Sequence, residues 1–200
     1  MAKEKDISKK AEIKQAALRL FTKRGYSAVT SRDIAKEAGV NHALLNYYFT
    51  SKENLFEIIV EEIRMEFIPK VVLILNDQQT TIEEKIEALI NFYYDRDLVK
   101  SPDVPFFMLS HIRENSEMLQ HKFADLYFMK QVKNAIKKGK IDSIAPINLM
   151  LNIASLIIFP LIIRPRLQQI GAVSDKEFGT LMKERKKKVL KWILAMMKSK

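Results

Sequence analysis

The chain has 200 residues, 48% of them apolar, and its 34 Lys and Arg outnumber 24 Asp and Glu for a formal charge of +10 and a pI near 9.6. That apolar content buries a core and excludes a disordered chain, while the basic balance favours a polyanionic partner, either nucleic acid or a membrane surface. With no cysteine, disulfides, thiolate nucleophiles and Cys-ligated zinc are excluded.

Taken in chain order, the signals are helical throughout. Ile13, Ala16, Ala17, Leu20 and Phe21 recur at helical spacing, with Ser8 as the expected N-cap and Gly25 as the stop after Lys23 and Arg24. Thr30 with Asp33 has the spacing of a capping box and opens a helix of barely two turns, whose apolar face is Ile34, Ala35 and Ala38 and which ends at Gly39. Asn41 is placed to cap a third short helix through Tyr48. Thr50 with Glu53 is placed to open a longer fourth towards Leu75, bent near Pro69. Thr81 with Glu84 starts a helix to about Leu98, and SPDVP at 101–105 breaks it. Further helices are expected over 105–115, 117–138, 146–163 and 175–198. No alternating strand pattern is present. The expected fold is all-α with about nine helices: a three-helix unit at 1–52 and a larger helical domain at 53–200.

Two short helices joined by a glycine-containing turn form a helix-turn-helix, whose second helix lies in the DNA major groove. Here Ala35 is small enough for two helices to cross closely, Gly39 supplies the left-handed turn residue, and Val40 and Leu45 plug the space between them. At 100° per residue Leu45 and Phe49 share one face of the third helix, which makes Phe49 core. Ala43, Asn46 and Tyr47 lie opposite. So small a unit has no core to spare for that face, so His42, Ala43, Asn46 and Tyr47 are the expected base contacts. Asn pairs with adenine, His donates to a purine acceptor, and Ala permits close approach to a thymine methyl. Thr30, Ser31, Tyr48 and Lys52 are the expected phosphate contacts, the Tyr48 ring being packed and its hydroxyl free. Residues 1–52 hold 11 Lys and Arg against 5 Asp and Glu, in keeping with that assignment.

The run "FTKRGYSAVT", then "IAKEAGV", a short helix ending in "YYF" and finally "SKENLF" resembles the TetR/AcrR family of bacterial transcriptional regulators over about residues 8–56. The resemblance implies a homodimer, a palindromic operator, and a repressor that a small molecule bound in the C-terminal domain releases from DNA. Many members have Ser, Gly and Tyr where this chain has Asn41, Ala43 and Asn46, so base preferences are not carried over from the family.

In the larger domain Tyr93, Tyr94, Phe107, His111, Tyr127 and Met150 are candidate pocket residues for an unidentified effector, within a crowd of aromatics and methionines that mostly form core. Glu117, His121 and Asp125 share a helix face but read as a solvated charge ladder, so neither a metal nor a cofactor is expected. The segment 144–163 is long and apolar enough to cross a membrane, yet Asn148, Asn152 and Pro160 interrupt it, and a buried core helix fits better. Its faces are expected to divide between core and partner, giving with the final helix a dimer interface of Ile157, Leu161, Val189, Trp192, Ile193 and Met196. No GxSxG elbow, HExxH motif or glycine-rich phosphate loop is present, so an enzyme is not expected. The N-terminus lacks the apolar stretch of a signal peptide, and a cytoplasmic location is expected. The remaining alternative is a membrane-surface or structural helical protein.

Overall fold

A computed structural model of the chain describes residues 2–94 and 125–198, with side chains from Asp6 onward. The described residues contain eight α-helices and no strand: α1 Ala2–Arg24, α2 Ser31–Glu37, α3 His42–Phe49, α4 Lys52–Asn76, α5 Ile82–Tyr94, α6 Tyr127–Lys137, α7 Pro146–Gln169 and α8 Asp175–Met197. A single 3₁₀ turn, Tyr26–Ala28, links α1 to α2. The expected helices at 105–115 and before Asp125 lie outside the described residues. So do the end of the helix expected to reach Leu98 and the candidates Phe107, His111, Glu117 and His121.

Two apolar cores organise these helices. The first joins Ile13, Ala17 and Phe21 of α1 to Ile34 and Ala35 of α2, Leu45 and Phe49 of α3, and Leu55, Ile59 and Val60 of α4. The second takes Phe67 and Leu75 from the far half of α4 and adds the apolar faces of α5, α6, α7 and α8. Helix α4 therefore belongs to both, because its apolar residues continue past Val60 to Leu75. Ile63 packs against each core.

The helix ends follow from local chemistry. At the end of α2, Gly39 has φ +64°, a left-handed conformation that a side chain resists, and the Gly39 and Val40 N–H groups donate to Lys36 O (3.2 Å) and Ala35 O (2.9 Å). Thr30–Asp33, Thr81–Glu84 and Ser174–Glu177 are reciprocal capping boxes, hydroxyl to backbone and carboxylate to backbone.

Three expected boundaries are corrected. Ser8 is not an N-cap: α1 begins at Ala2 because nothing before Ser8 breaks a helix, and the Ser8 hydroxyl donates to Glu12 one turn on (3.0 Å). Thr50 does not open α4. It is the C-cap of α3 at φ 62°, ψ −48°, inside a γ-turn in which Ser51 N–H donates to Phe49 O (2.5 Å), and Ser51 is the cap, accepting from Asn54 N–H (3.1 Å). The helix expected over 117–138 starts, within the described residues, only at Tyr127, after Asp125 in a turn and Leu126 in extended backbone.

Helix α7 reaches Gln169, six residues beyond the expected end, with Pro160 and Pro165 inside it. Pro160 has no N–H, so the Leu156 carbonyl loses its intrahelical donor. The Tyr94 hydroxyl (3.3 Å) and an Arg185 N–H (2.9 Å) donate to it instead, tying α5 and α8 to the middle of α7. Leu149, Ile153, Ile157 and Leu161, four residues apart, form its buried face. The opposite face is open, with Ile147, Leu151 and Phe159 outward, so the helix is buried on one side and not throughout.

Candidate nucleic-acid interface

Helix α3 holds its two faces apart. Leu45 and Phe49 are fully buried against α1, α2 and α4, whereas His42, Ala43, Asn46 and Tyr47 are exposed, Tyr47 to 79%. The Asn41 side chain caps the helix by accepting from Leu44 N–H (2.7 Å). One turn apart, Asn46 Nδ2 lies 3.4 Å from His42 Nδ1. An amide proton donated there makes the His42 Nδ1 the acceptor, leaving an Nε2–H donor on His42 and a carbonyl acceptor on Asn46, both on exposed residues.

The expected phosphate contacts have partners of their own. Thr30 is exposed, but its hydroxyl donates to Asp33 Oδ2 (2.7 Å) and accepts from Asp33 N–H (3.2 Å). The hydrogen bonds from Thr30 hold the Asp33 carboxyl below its ordinary value. Ser31 is half-buried in the first turn of α2. Tyr48 is not free as expected: its ring lies edge-on to Tyr47 (5.3 Å between centroids), and its hydroxyl donates to Asp6 on α1. That bond to a carboxylate pushes the Tyr48 hydroxyl up to about 12. Lys52 is half-buried, its ammonium 4.0 Å from the Tyr26 ring centre and donating to Tyr26 O (3.2 Å) and Val29 O (3.1 Å). The turn between α1 and α2 is thereby tied to the start of α4. Two basic residues not expected from the sequence, Arg32 and Lys36, are exposed on α2. Their signal was their offset within a two-turn helix, where neither falls on the Ile34–Ala35 stripe.

The effector candidates lie in the second core. Tyr93 and Tyr94 are buried neighbours on α5, and burial pushes the Tyr93 hydroxyl up to about 12. Burial also raises Tyr94, against the opposing pull of Arg185. Tyr127 is half-buried at the start of α6 beneath the Lys85 ammonium (5.5 Å), and Met150 packs partly buried on α7. The structure thus unites Tyr94 with Arg185, a residue the sequence did not single out, around the carbonyl that Pro160 orphans.

Four of the six expected interface residues turn inward. Ile157, Leu161, Val189 and Ile193 lie inside the subunit's own core and have no surface to offer a partner. Trp192 (41%) is exposed, and Met196 is half-buried. A stripe at helical spacing does not tell which of its residues meets the chain's own core, and here i, i+4 neighbours went inward.

Two short helices joined by a left-handed glycine, with Ala35 buried between them and a polar outer face, form a helix-turn-helix, the unit that lays its second helix in a DNA major groove in the proteins that use it so. Residues 13–59, which hold the helix-turn-helix, match the family model "Bacterial regulatory proteins, tetR family". It is 43% identical over 56 residues to the probable HTH-type transcriptional regulator YttP of Bacillus subtilis, covering 28% of this chain and 27% of that one. It is 36% identical over 84 residues to the nucleoid occlusion factor SlmA of Vibrio campbellii, covering 42% and 43%. The chain thus spans less than half the length of these curated relatives. Its fold is similar along nearly all its length to the crystal structure of HlyIIR, a hemolysin II transcriptional regulator, with a TM-score of 0.63, 20% identity and coverage of 98% of this chain and 99% of that one.

Proposed function

We propose that the chain is a sequence-specific DNA-binding transcriptional regulator, a repressor that acts as a homodimer on a palindromic operator and is released by a small molecule. The observation that carries this reading is the split of α3, with Leu45 and Phe49 sealed in the core and His42, Ala43, Asn46 and Tyr47 facing outward. We assign these four to base edges, and Thr30, Ser31, Tyr48 and Lys52 to phosphates. Tyr48 and Lys52 keep bonds within the protein: the Tyr48 hydroxyl parts from Asp6 to donate to a phosphate, while Lys52 has a third ammonium proton beyond the two it gives to carbonyls. Residues 1–52 form the DNA-binding domain, walled by the first turns of α4, and 53–200 form the effector and dimerisation domain. Two recognition helices enter successive major grooves when they stand about 34–36 Å apart. An effector near Tyr93, Tyr94, Tyr127 and Met150 that favours another spacing releases DNA by its differential affinity for the two states. YttP is named a probable transcriptional regulator, and a non-enzymatic, intracellular role in contact with DNA follows the same reading.

Sequencing genomic fragments captured by the purified protein tests it directly, with a two-half-site motif as the expected result. On that motif Asn46→Ala or His42→Ala loses about 1–3 kcal/mol per half-site while binding to random DNA hardly changes. Equal losses on both would remove these side chains from base reading.

A further inference from the structure

A second basic surface lies apart from the helix-turn-helix. Between Leu126 and Ile141 the chain carries five lysines and no carboxylate, in a middle region that is otherwise slightly acidic. Lys130, Lys133 and Lys137 recur at i, i+3 and i+7 and so share one face of α6. All three are exposed, and among the described residues none makes an ion pair. Like charges at these spacings repel along a helix, a local cost that a bound anion relieves.

The three lysines form one wall of a groove of about 630 Å³, whose other wall is Ser143, Ile144 and Pro146 at the entry to α7. That volume lies within the range of about 300–1,000 Å³ usual for small-molecule sites. The groove is held in shape at both ends of the turn. Gly139 and Lys140 N–H donate to Ile136 O and Ala135 O (both 2.9 Å), and Asp142 N–H donates to Met197 O at the end of α8 (3.1 Å). It is also remote from the DNA-reading face. Tyr127 N–H donates to Asn76 Oδ1 (2.9 Å), so α6 begins at the far end of α4. At 1.5 Å per residue that end lies about 36 Å from Lys52, and the length of α6 recovers only about 15 Å of it.

We propose that this groove binds a small phosphate ester, its phosphate held by the Lys130, Lys133 and Lys137 ammonium groups and its remainder lying on Ile144 and Pro146. Three separate point donors on one wall suit a multiply charged phosphate, and the Ile144 and Pro146 side chains opposite give the remainder of a small ester an apolar surface to lie on. Its lining shares no residue with the effector candidates Tyr93, Tyr94, Tyr127 and Met150.

The test is calorimetric titration of the full chain with inorganic triphosphate. The expected result is saturable binding that weakens about tenfold or more in K130Q/K133Q/K137Q, the loss of three charge-assisted contacts. K183Q/K187Q/K188Q, which removes the same charge from exposed positions on α8, leaves it unchanged. Equal weakening in both triple variants, non-saturable binding, or binding to phosphatidylglycerol vesicles without binding to triphosphate would each overturn the proposal. Thermal unfolding checks that the variants fold. If the α6 triple variant melts early, K133Q alone is read, with a loss of about threefold expected and unchanged affinity overturning the proposal.

Discussion

At the scale of single residues, Lys52 is where a structural contact and a proposed phosphate contact fall on the same side chain. Its ammonium satisfies two carbonyls of the turn before α2 and rests on Tyr26, whose own hydroxyl donates to Glu53 (2.9 Å). Lys52→Ala is expected to lower stability by about 1–2 kcal/mol in urea denaturation, because charged hydrogen bonds to backbone are lost. The salt slope of DNA binding is expected to flatten by about one unit per subunit. Lower stability with an unchanged slope would assign Lys52 to the fold alone. That His42, Ala43, Asn46 and Tyr47 face outward was legible in the sequence, because period and core capacity decide which side of α3 is buried. The bonds of Lys52 and Tyr48 were not, since their acceptors, Val29 O and Asp6, stand 23 and 42 residues away.

At the scale of helices, three capping boxes make the fold sensitive to acid. Thr30 lowers Asp33 through its hydroxyl and backbone N–H, Thr81 lowers Glu84 through its backbone N–H and hydroxyl, and Ser174 lowers Glu177 through its hydroxyl and backbone N–H. Each carboxyl ionises more readily folded than unfolded, so its contribution is complete above the ordinary values of 3.8 and 4.5 and is lost as pH falls through the lower folded values. Stability is therefore expected to fall from about pH 5 to pH 3, and to fall less in E84Q/E177Q, where the amide still accepts but does not titrate. Urea midpoints at both pH values check this, and identical falls would show that the boxes are not responsible. The boxes at Thr30–Asp33 and Thr81–Glu84 were expected from sequence because a box is local, whereas Ser174–Glu177 has the same spacing and was not singled out. The Thr50–Glu53 pattern misled because adjacent hydroxyls at Thr50 and Ser51 both offer a cap. The γ-turn that decides between them has Thr50 at positive φ, where a β-branched residue is not expected. The start of α6 was hidden for a different reason, as apolar periodicity around Leu126 continues smoothly across a backbone that is not helical there.

At the scale of the whole molecule, α7 turns Ile147, Leu151 and Phe159 outward among the described residues, and we assign that face to the contact of the proposed homodimer. Phe159 (57%) is exposed and Ile193 (0%) is sealed in the core. Phe159→Asp is expected to give a folded monomer that no longer holds a two-half-site operator, whereas Ile193→Asp buries an unpaired charge, costs about 3 kcal/mol or more, and unfolds the domain. Sedimentation velocity with circular dichroism separates the two outcomes, and a Phe159→Asp protein that stays dimeric would move the interface elsewhere. Helix α4 carries a consequence of another kind. Because Leu55, Ile59 and Val60 wall the first core while Phe67 and Leu75 enter the second, neither core keeps its wall if that one helix frays. Heat should thus take both halves apart in a single transition, and amide protons in the middle of α4 should be among the last to exchange. A fragment ending at residue 52 would lack three of its buried side chains, so the shortest piece able to stand on DNA by itself runs past Val60, through the helix that belongs to its neighbour as well.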